Sequence, residues 1–340
     1  MRIISISAFI LVGLASMLRA QYAFTTLDVP GATKTEAYGI SDGNIVGYFS
    51  DAGGTHGFFY NGIGFTTIDV PGSPQTYCTG ISGDTIAGYY YQNSSSAYRG
   101  FTYVAGTFTT NIFADGSAQT YIGGVNGTNI VGYTGVHGFI YNGITFSNLD
   151  FPGGTGTTPF GIAASGIVGF YRDSASKQRG FYYNGSAFTA LDYPKALFTQ
   201  PYGIEGANFV GCWMDTNSYL THGFIYNGST FTAIDVAGAH ETFTYGISSG
   251  KIVGSYTTNG VTHGFVGTPI SNAVQLNITR SGAGVVLHWT NSVAGYALQS
   301  STNFSVGPWV NLVTNPPTFN GEYTFTNSAA GTNKFYRLIK

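Results

Sequence analysis

The sequence predicts an all-β protein: a six-bladed β-propeller closed by its own first strand, followed by a small C-terminal β-sandwich. Three observations predict it. A block of roughly 40 residues recurs six times, which is the period of a four-stranded propeller blade. Within each block the apolar runs are short, rich in Phe, Tyr, Ile, Val and Thr, and broken by Gly and Asn, with no helical periodicity. Near residue 269 the repeat stops, and short strands of another pattern follow.

The repeat is clearest from His56 to Gly72, HGFFYNGIGFTTIDVPG. Asn61-Gly62 sits between two aromatic runs, where it supplies the positive φ angles of a tight hairpin turn. Four signatures recur. A Gly-aliphatic pair stands at Gly39, Gly80, Gly124, Gly161, Gly203 and Gly246. An IVGY-like run begins at Ile45, Ile86, Ile130, Ile167, Phe209 and Ile252. A Gly-Phe pair follows His56, Arg99, His137, Arg179, His222 and His263. An FTxLD-like run begins at Phe24, Phe65, Phe108, Phe146, Phe188 and Phe231, at spacings of 41, 43, 38, 42 and 43 residues.

Connection length orders the strands. The longest constant link runs from FTxLD through DVPG to the next Gly-Ile, as from Val29 to Ala37. A propeller needs its longest link from an outer strand to the next inner one, so Gly-Ile is innermost and FTxLD outermost. The repeat opens with an outer strand, Phe24–Asp28, and its last member, His263–Phe265, lacks one. The first strand is therefore expected to complete blade six and cover an edge that would otherwise template aggregation.

The expected domains are a signal peptide over 1–20, the propeller over 21–268, a linker over 269–273 and a sandwich over 274–340. Arg2 followed by the mostly apolar run Ile3 to Met17 reads as a secretory leader, too short for a comfortable membrane span. Small residues at Gly13-Leu14-Ala15 and Leu18-Arg19-Ala20 offer two cleavage sites; the alternative is an ordinary strand or a retained anchor. No transmembrane segment is expected once the leader is removed, and the protein is expected to be a monomer, secreted or at the cell surface. Cys78 and Cys212 fall in blades two and five, too far apart to bridge, so two free, buried thiols are expected.

The FTTLDVPG…YGI…IVGYY…HGFFYNG pattern resembles the HAF-type extracellular repeat of bacterial secreted proteins, with HGF or RGF standing where that family has HAF. The resemblance implies a secreted, propeller-like array and brings no activity with it. The layout LQSSTN…W…FYRL after residue 296 loosely resembles fibronectin type III-like modules. Trp289 and Trp309 are expected in its core.

Composition excludes some functions. Charged residues make up 8% of the chain and the net charge is −2, so there is no basic footprint for nucleic acid. Metal-ligand spacing, phosphate loops and nucleophile elbows are absent, and no cofactor is expected. The His of the third signature and the Asp of the fourth could pair as His56–Asp69, His137–Asp150, His222–Asp235 and His263–Asp28. Catalysis needs one such pair, whereas a buried tie between neighbouring strands can recur, so the tie is the preferred reading. Variable connections between second and third strands carry Tyr91, Tyr98, Tyr171, Arg172, Trp213 and Tyr219, which are the candidate ligand-binding residues. Aromatic rings on a polar, weakly charged face suit an extracellular glycan or a protein partner. The other reading packs these rings against their own blades. A carbohydrate-active enzyme would need two carboxyls from Glu36, Asp51, Asp115, Asp173, Asp215 and Glu241, and nothing in the sequence selects a pair. No catalytic residue is assigned.

Overall fold

The structure is a computed structural model that describes residues 22–112, 119–270, 276–281, 284–290, 297–301, 308–313, 318–319, 322–328 and 335–339. The expected leader, Asp115 and most of the expected linker lie outside the described residues. The chain divides into two compact units, Met1–Pro269 and Ile270–Lys340.

The first unit is built from antiparallel sheets of the blade type. Strand β1 is Tyr22–Thr26. Blade one holds β2 (Lys34–Ser41), β3 (Asn44–Asp51), β4 (Gly54–Tyr60) and β5 (Phe65–Ile68). Blade two holds β6 (Thr76–Ser82), β7 (Thr85–Gln92), β8 (Ala97–Val104) and β9 (Thr107–Ile112). Blade three holds β10 (Tyr121–Asn126), β11 (Asn129–Thr134), β12 (His137–Tyr141) and β13 (Phe146–Asn148). Blade four holds β14 (Thr155–Ala163), β15 (Gly166–Arg172), β16 (Gln178–Tyr183) and β17 (Phe188–Leu191). Blade five holds β18 (Thr199–Glu205), β19 (Asn208–Met214), β20 (Thr221–Tyr226) and β21 (Phe231–Ile234). Blade six holds β22 (Glu241–Ser248), β23 (Lys251–Thr258) and β24 (Val261–Pro269). Strands pair in chain order within every blade.

Strand β1 lies antiparallel to β24, with Thr26 opposite Phe265 and Tyr22 opposite Pro269. It takes the place that an outer strand takes elsewhere. Phe24 stands edge-on to Phe265 at 5.3 Å, as Phe65 stands to Phe58 at 5.4 Å and Phe231 to Phe224 at 5.3 Å. The third strand of one blade also makes a parallel bridge to the start of the next blade at two junctions. Thr55 bridges Gln75 between blades one and two, and Thr262 bridges Lys34 between blades six and one.

The signatures have separate physical jobs. The phenylalanine of each Gly-Phe pair is wholly or almost wholly buried, as are Val46, Ala87, Val131, Val168, Val210 and Val253 of the second strands, and these fill the space between sheets. The glycine of the Gly-aliphatic pair sits where inner strands of adjacent blades nearly touch. A Cβ on Gly203 would lie 2.7 Å from the Tyr245 carbonyl oxygen, and one on Gly246 would lie 2.7 Å from that of Tyr38. Only glycine allows that approach.

A fifth repeated position escaped the sequence reading. Thr35, Thr76, Thr120, Thr157, Thr199 and Thr242 are all buried. Five of their hydroxyls accept a backbone N–H from the preceding link: Val29 to Thr35 and Val70 to Thr76 at 3.1 Å, Phe151 to Thr157 and Tyr193 to Thr199 at 2.9 Å, and Val236 to Thr242 at 3.1 Å. Each bond satisfies a backbone donor that the turn of the link leaves unpaired.

The second unit has two small sheets. One contains β25 (Asn277–Ser281), β26 (Gly284–Thr290), β29 (Thr318–Phe319) and β30 (Glu322–Ser328). The other contains β27 (Ala297–Ser301), β28 (Val310–Val313) and β31 (Phe335–Ile339). Seven strands stand among the described residues of this unit. Leu287, Trp289 and Leu298 are fully buried. Trp309 is only half-buried, with the Arg337 guanidinium 4.2 Å from its ring centre. No helix among the described residues is long and apolar enough to cross a membrane.

Candidate binding site: a tyrosine-lined axial mouth

The inner strands of all six blades line one narrow cavity of about 80 Å³, bounded by their Gly-aliphatic pairs. At one end it widens to about 410 Å³ between the turns that join first and second strands. Those turns are clasped between blades: Ser41 Oγ accepts from Gly83 N at 3.3 Å, Ser82 Oγ from Gly127 N at 3.1 Å, and Ser248 Oγ from Asp42 N at 3.4 Å.

The other end carries the aromatics. Their ring contacts make an unbroken circle. Tyr38 meets Tyr48 (5.5 Å), Tyr48 meets Tyr77 (4.8 Å), and Tyr77 stacks on Tyr89 (4.7 Å). Tyr89 meets Tyr121 (5.2 Å), and Tyr121 stacks on Tyr133 (4.9 Å). Tyr133 meets Phe160 (6.3 Å), Phe160 meets Tyr202 (4.5 Å), Tyr202 meets Tyr245 (5.1 Å), and Tyr245 stacks on Tyr38 (4.1 Å). The circle arises because first and second strands both turn a residue toward the axis just outside the glycine collar.

Glutamines hold the hydroxyls. Tyr98 donates to Gln75 Oε1 at 2.7 Å and Tyr77 to the same oxygen at 3.3 Å. Tyr121 donates to Gln119, and Tyr202 donates to Gln200 at 2.7 Å. Gln200 in turn donates to Gln178 at 2.7 Å.

One buried carboxylate belongs to the circle. Glu36 occupies the repeat position held by Tyr77, Tyr121, Thr158, Gln200 and Phe243 in the other blades, and it is 7% exposed. It accepts from the Tyr48 hydroxyl at 2.8 Å and is paired with Lys34 Nζ at 2.7 Å. Burial, then the Glu36 charge, holds the Tyr48 phenol well above the ordinary tyrosine range. Burial likewise raises Tyr38, Tyr202 and Tyr245, and the Glu36 charge adds to each. Tyr133 is pushed up to about 12, chiefly by burial. The phenols are therefore neutral hydrogen-bonding groups at physiological pH.

Of the six residues singled out from the sequence only Tyr91 and Tyr98 come together, edge-on at 5.3 Å across β7 and β8. Tyr98 joins the axial circle through Tyr89 (5.6 Å) and Tyr121 (5.2 Å). Tyr91 is half-buried with its ring against Tyr98, and the same stretch of β7 borders a groove in blade two. Tyr171 is buried and stacks on Phe151 at 3.6 Å, and Trp213 stacks between Tyr193 (4.0 Å) and His222 (5.0 Å). Both rings pack within the body of the protein. Arg172 is exposed and donates to the Ser176 carbonyl oxygen at 3.3 Å; Tyr219 is 67% exposed at a loop tip. Loop variability drew attention to these residues, whereas the axial tyrosines lie at repeated positions and read as core. The signal that finds Glu36 is a repeat alignment, in which an acid replaces aromatic and amide residues.

The other unmatched carboxylates split by role. Asp51, Asp173 and Asp215 accept backbone N–H groups of their own loops at 2.7 to 2.9 Å. Glu241 begins β22 and is half-buried. The repeated pairs form as expected, at 2.7 Å for His56–Asp69 and His263–Asp28 and 2.9 Å for His137–Asp150 and His222–Asp235. Arg179 replaces histidine and reaches both Asp192 (3.1 Å) and Asp173 (2.9 Å). They are not buried ties, however. The histidine side chains are 25 to 59% exposed, because third and outer strands meet near the rim where solvent enters. Cys78 and Cys212 are both free and buried. Among the described residues no group of His, Cys, Asp and Glu could hold a metal ion.

No family model matches the chain and no curated protein sequence matches it, so the resemblances to the HAF-type repeat and the fibronectin type III-like module gain no support there. Several solved structures are similar to it, propellers among them. The β-propeller domain of the trilobed protease from Pyrococcus furiosus has a TM-score of 0.44 at 11% identity, over 77% of this chain and 91% of that one. An inactive virginiamycin B lyase from Staphylococcus aureus has a TM-score of 0.44 at 13% identity, over 79% and 96%. The Aleuria aurantia lectin has a TM-score of 0.38 at 13% identity, over 76% and 99%. At such scores none of these likenesses bears on what this chain binds or does.

Proposed function

We propose that this is a secreted, non-catalytic binding protein on a six-bladed propeller closed by β1, and that the tyrosine-lined axial mouth seats a neutral, polyhydroxylated ligand, a carbohydrate. The supporting observation is the unbroken circle of rings with hydroxyls held on glutamine amides. Such a surface offers apolar faces for sugar C–H groups beside neutral donors and acceptors for sugar hydroxyls. Secretion rests on the leader-like first twenty residues and the low charge of the chain. The test is a glycan array with the whole chain, followed by calorimetry on any retained glycan. Gln75→Ala and Tyr98→Phe are expected to weaken binding several-fold while the melting temperature stays within a few degrees. An array that retains nothing overturns the carbohydrate reading.

The alternative is an extracellular carbohydrate-active enzyme, and one observation favours it: Glu36, a buried carboxylate touching a hydroxyl, is unique among the six repeats at its position. Glycoside hydrolysis ordinarily needs a second carboxyl about 5 to 9.5 Å away. Reducing ends released from a polysaccharide by the native protein but not by Glu36→Gln would establish the enzyme reading over the binding one.

A further inference from the structure

Blade two breaks the repeat where the others keep it. Its outer strand β9 contains one extra residue: Gly100 faces Ile112 and Thr102 faces Thr109, so two residues of β9 stand against one of β8. This is a β-bulge, a device that re-aims a side chain. Asn111 lies in it at φ 60°, in the left-handed region that asparagine tolerates. Its carboxamide oxygen accepts from the Tyr90 hydroxyl and from Gln92 Nε2, both at 3.1 Å.

Beside this cluster is a groove of about 580 Å³ between the Val70–Ser73 link and the turn after Gln92. That volume lies within the roughly 300–1,000 Å³ of small-ligand pockets. The matching space in blades four and five holds a stacked ring pair, Phe151 on Tyr171 and Tyr193 on Trp213. In blade two the strand aromatic is Tyr90 and the link residue is Val70; both belong to one buried cluster, and the Tyr90 hydroxyl reaches Asn111 at the groove. Among the described residues that line the groove none is charged.

We propose that this groove is a second ligand site, separate from the axial mouth, for a neutral ligand of mono- to disaccharide size. Val70, Pro71 and Phe108 supply the apolar wall. Tyr91 N donates to Gln75 O and Ser73 Oγ donates to Tyr91 O, both at 2.9 Å, which pins the link against β7 along one side of the groove. Gln92 and Asn93 supply carboxamides, each able to donate and accept from one planar group, which suits vicinal hydroxyls, and Asn111, its oxygen taken up by Tyr90 and Gln92, offers its remaining Nδ2–H. Phosphate, carboxylate or ammonium ligands would lose hydration with no counter-charge from the described lining residues, which favours a neutral ligand.

The test is saturation-transfer NMR and calorimetry on the whole chain with a panel of neutral mono- and disaccharides. The native protein is expected to bind at least one member. Asn111→Ala and Gln92→Ala are each expected to weaken that binding at least tenfold, with Gln75→Ala leaving it within twofold. Gln92 sits on the rim of the groove, so its variant serves if Asn111→Ala does not fold. Failure of the whole panel to bind overturns the proposal, as does binding unchanged in Gln92→Ala. Binding lost only with Gln75→Ala would keep the axial reading and sink this one.

Discussion

Removing Tyr22–Pro30 takes away the strand that pairs with β24. The loss can be sized from its contacts. Leu27 is 7% exposed and Phe24 lies against Phe265; burying each contributes ~2 kcal/mol. The Leu27 amide donates to the Gly264 carbonyl oxygen at 2.8 Å, and Asp28 accepts from His263 at 2.7 Å and from Gly264 N at 3.2 Å. The backbone bond is worth ~1 kcal/mol, and the partly exposed Asp28 contacts are worth less each. With the rest of the five-residue ladder the loss is on the order of 5 kcal/mol, comparable to the whole stability of an ordinary domain. For a unit of this size that lowers the melting temperature by roughly 10–20 °C. It also uncovers β24 as a bare edge. Light scattering behind size exclusion is expected to show multimers or insoluble protein, and adding the Tyr22–Pro30 peptide is expected to recover monomer. A soluble monomer with native melting, in the absence of peptide, would refute the reasoning.

Other outcomes follow from the same contacts. Gly203→Ala forces a methyl into the Tyr245 carbonyl and is expected to cost ~1–3 kcal/mol, read as a lower melting temperature at fixed scan rate; Gly64→Ala, with nothing within 4 Å, is the control and is expected to melt as the native protein does. Folding raises the phenols of Tyr38, Tyr48, Tyr133, Tyr202 and Tyr245 above their unfolded value of about 10, chiefly by burial. Their contribution is therefore complete below pH ~10 and is lost as pH rises toward the folded values, about 12 for Tyr133. Absorbance at the phenolate band is expected to lag behind that of the unfolded chain over this window, and coincident titrations would count against a protected circle. Burial holds both thiols above their ordinary range, so Cys78 and Cys212 are expected to resist a thiol reagent until the protein unfolds; prompt labelling at neutral pH would contradict their placement.

Much of the fold was legible because a repeat states its strand order several times over. Asn61-Gly62 marks a hairpin, Gly39-Ile40 an inner strand, and the unpaired Phe24–Asp28 a partner for His263–Phe265. The binding surface was less legible. Variable loops pointed to Tyr171 and Trp213, whose neighbours Phe151 and Tyr193 come from the link before each blade and cover them. Nothing in the local pattern says that a ring is capped by another segment. The bulge at Asn111 was also hidden, since one extra residue in FTTNI reads as ordinary drift.

Sequence alone determined which residues form strands, how they follow one another and which face of each is apolar, because period-2 alternation and turn chemistry are local properties. Tertiary structure decided which rings meet across blades and which lone acid stands among them. Tyr38 touches Tyr245, and Glu36 acts on Tyr202, only because six inner strands converge on one axis. Convergence brings together residues about two hundred positions apart, and no local pattern carries that distance.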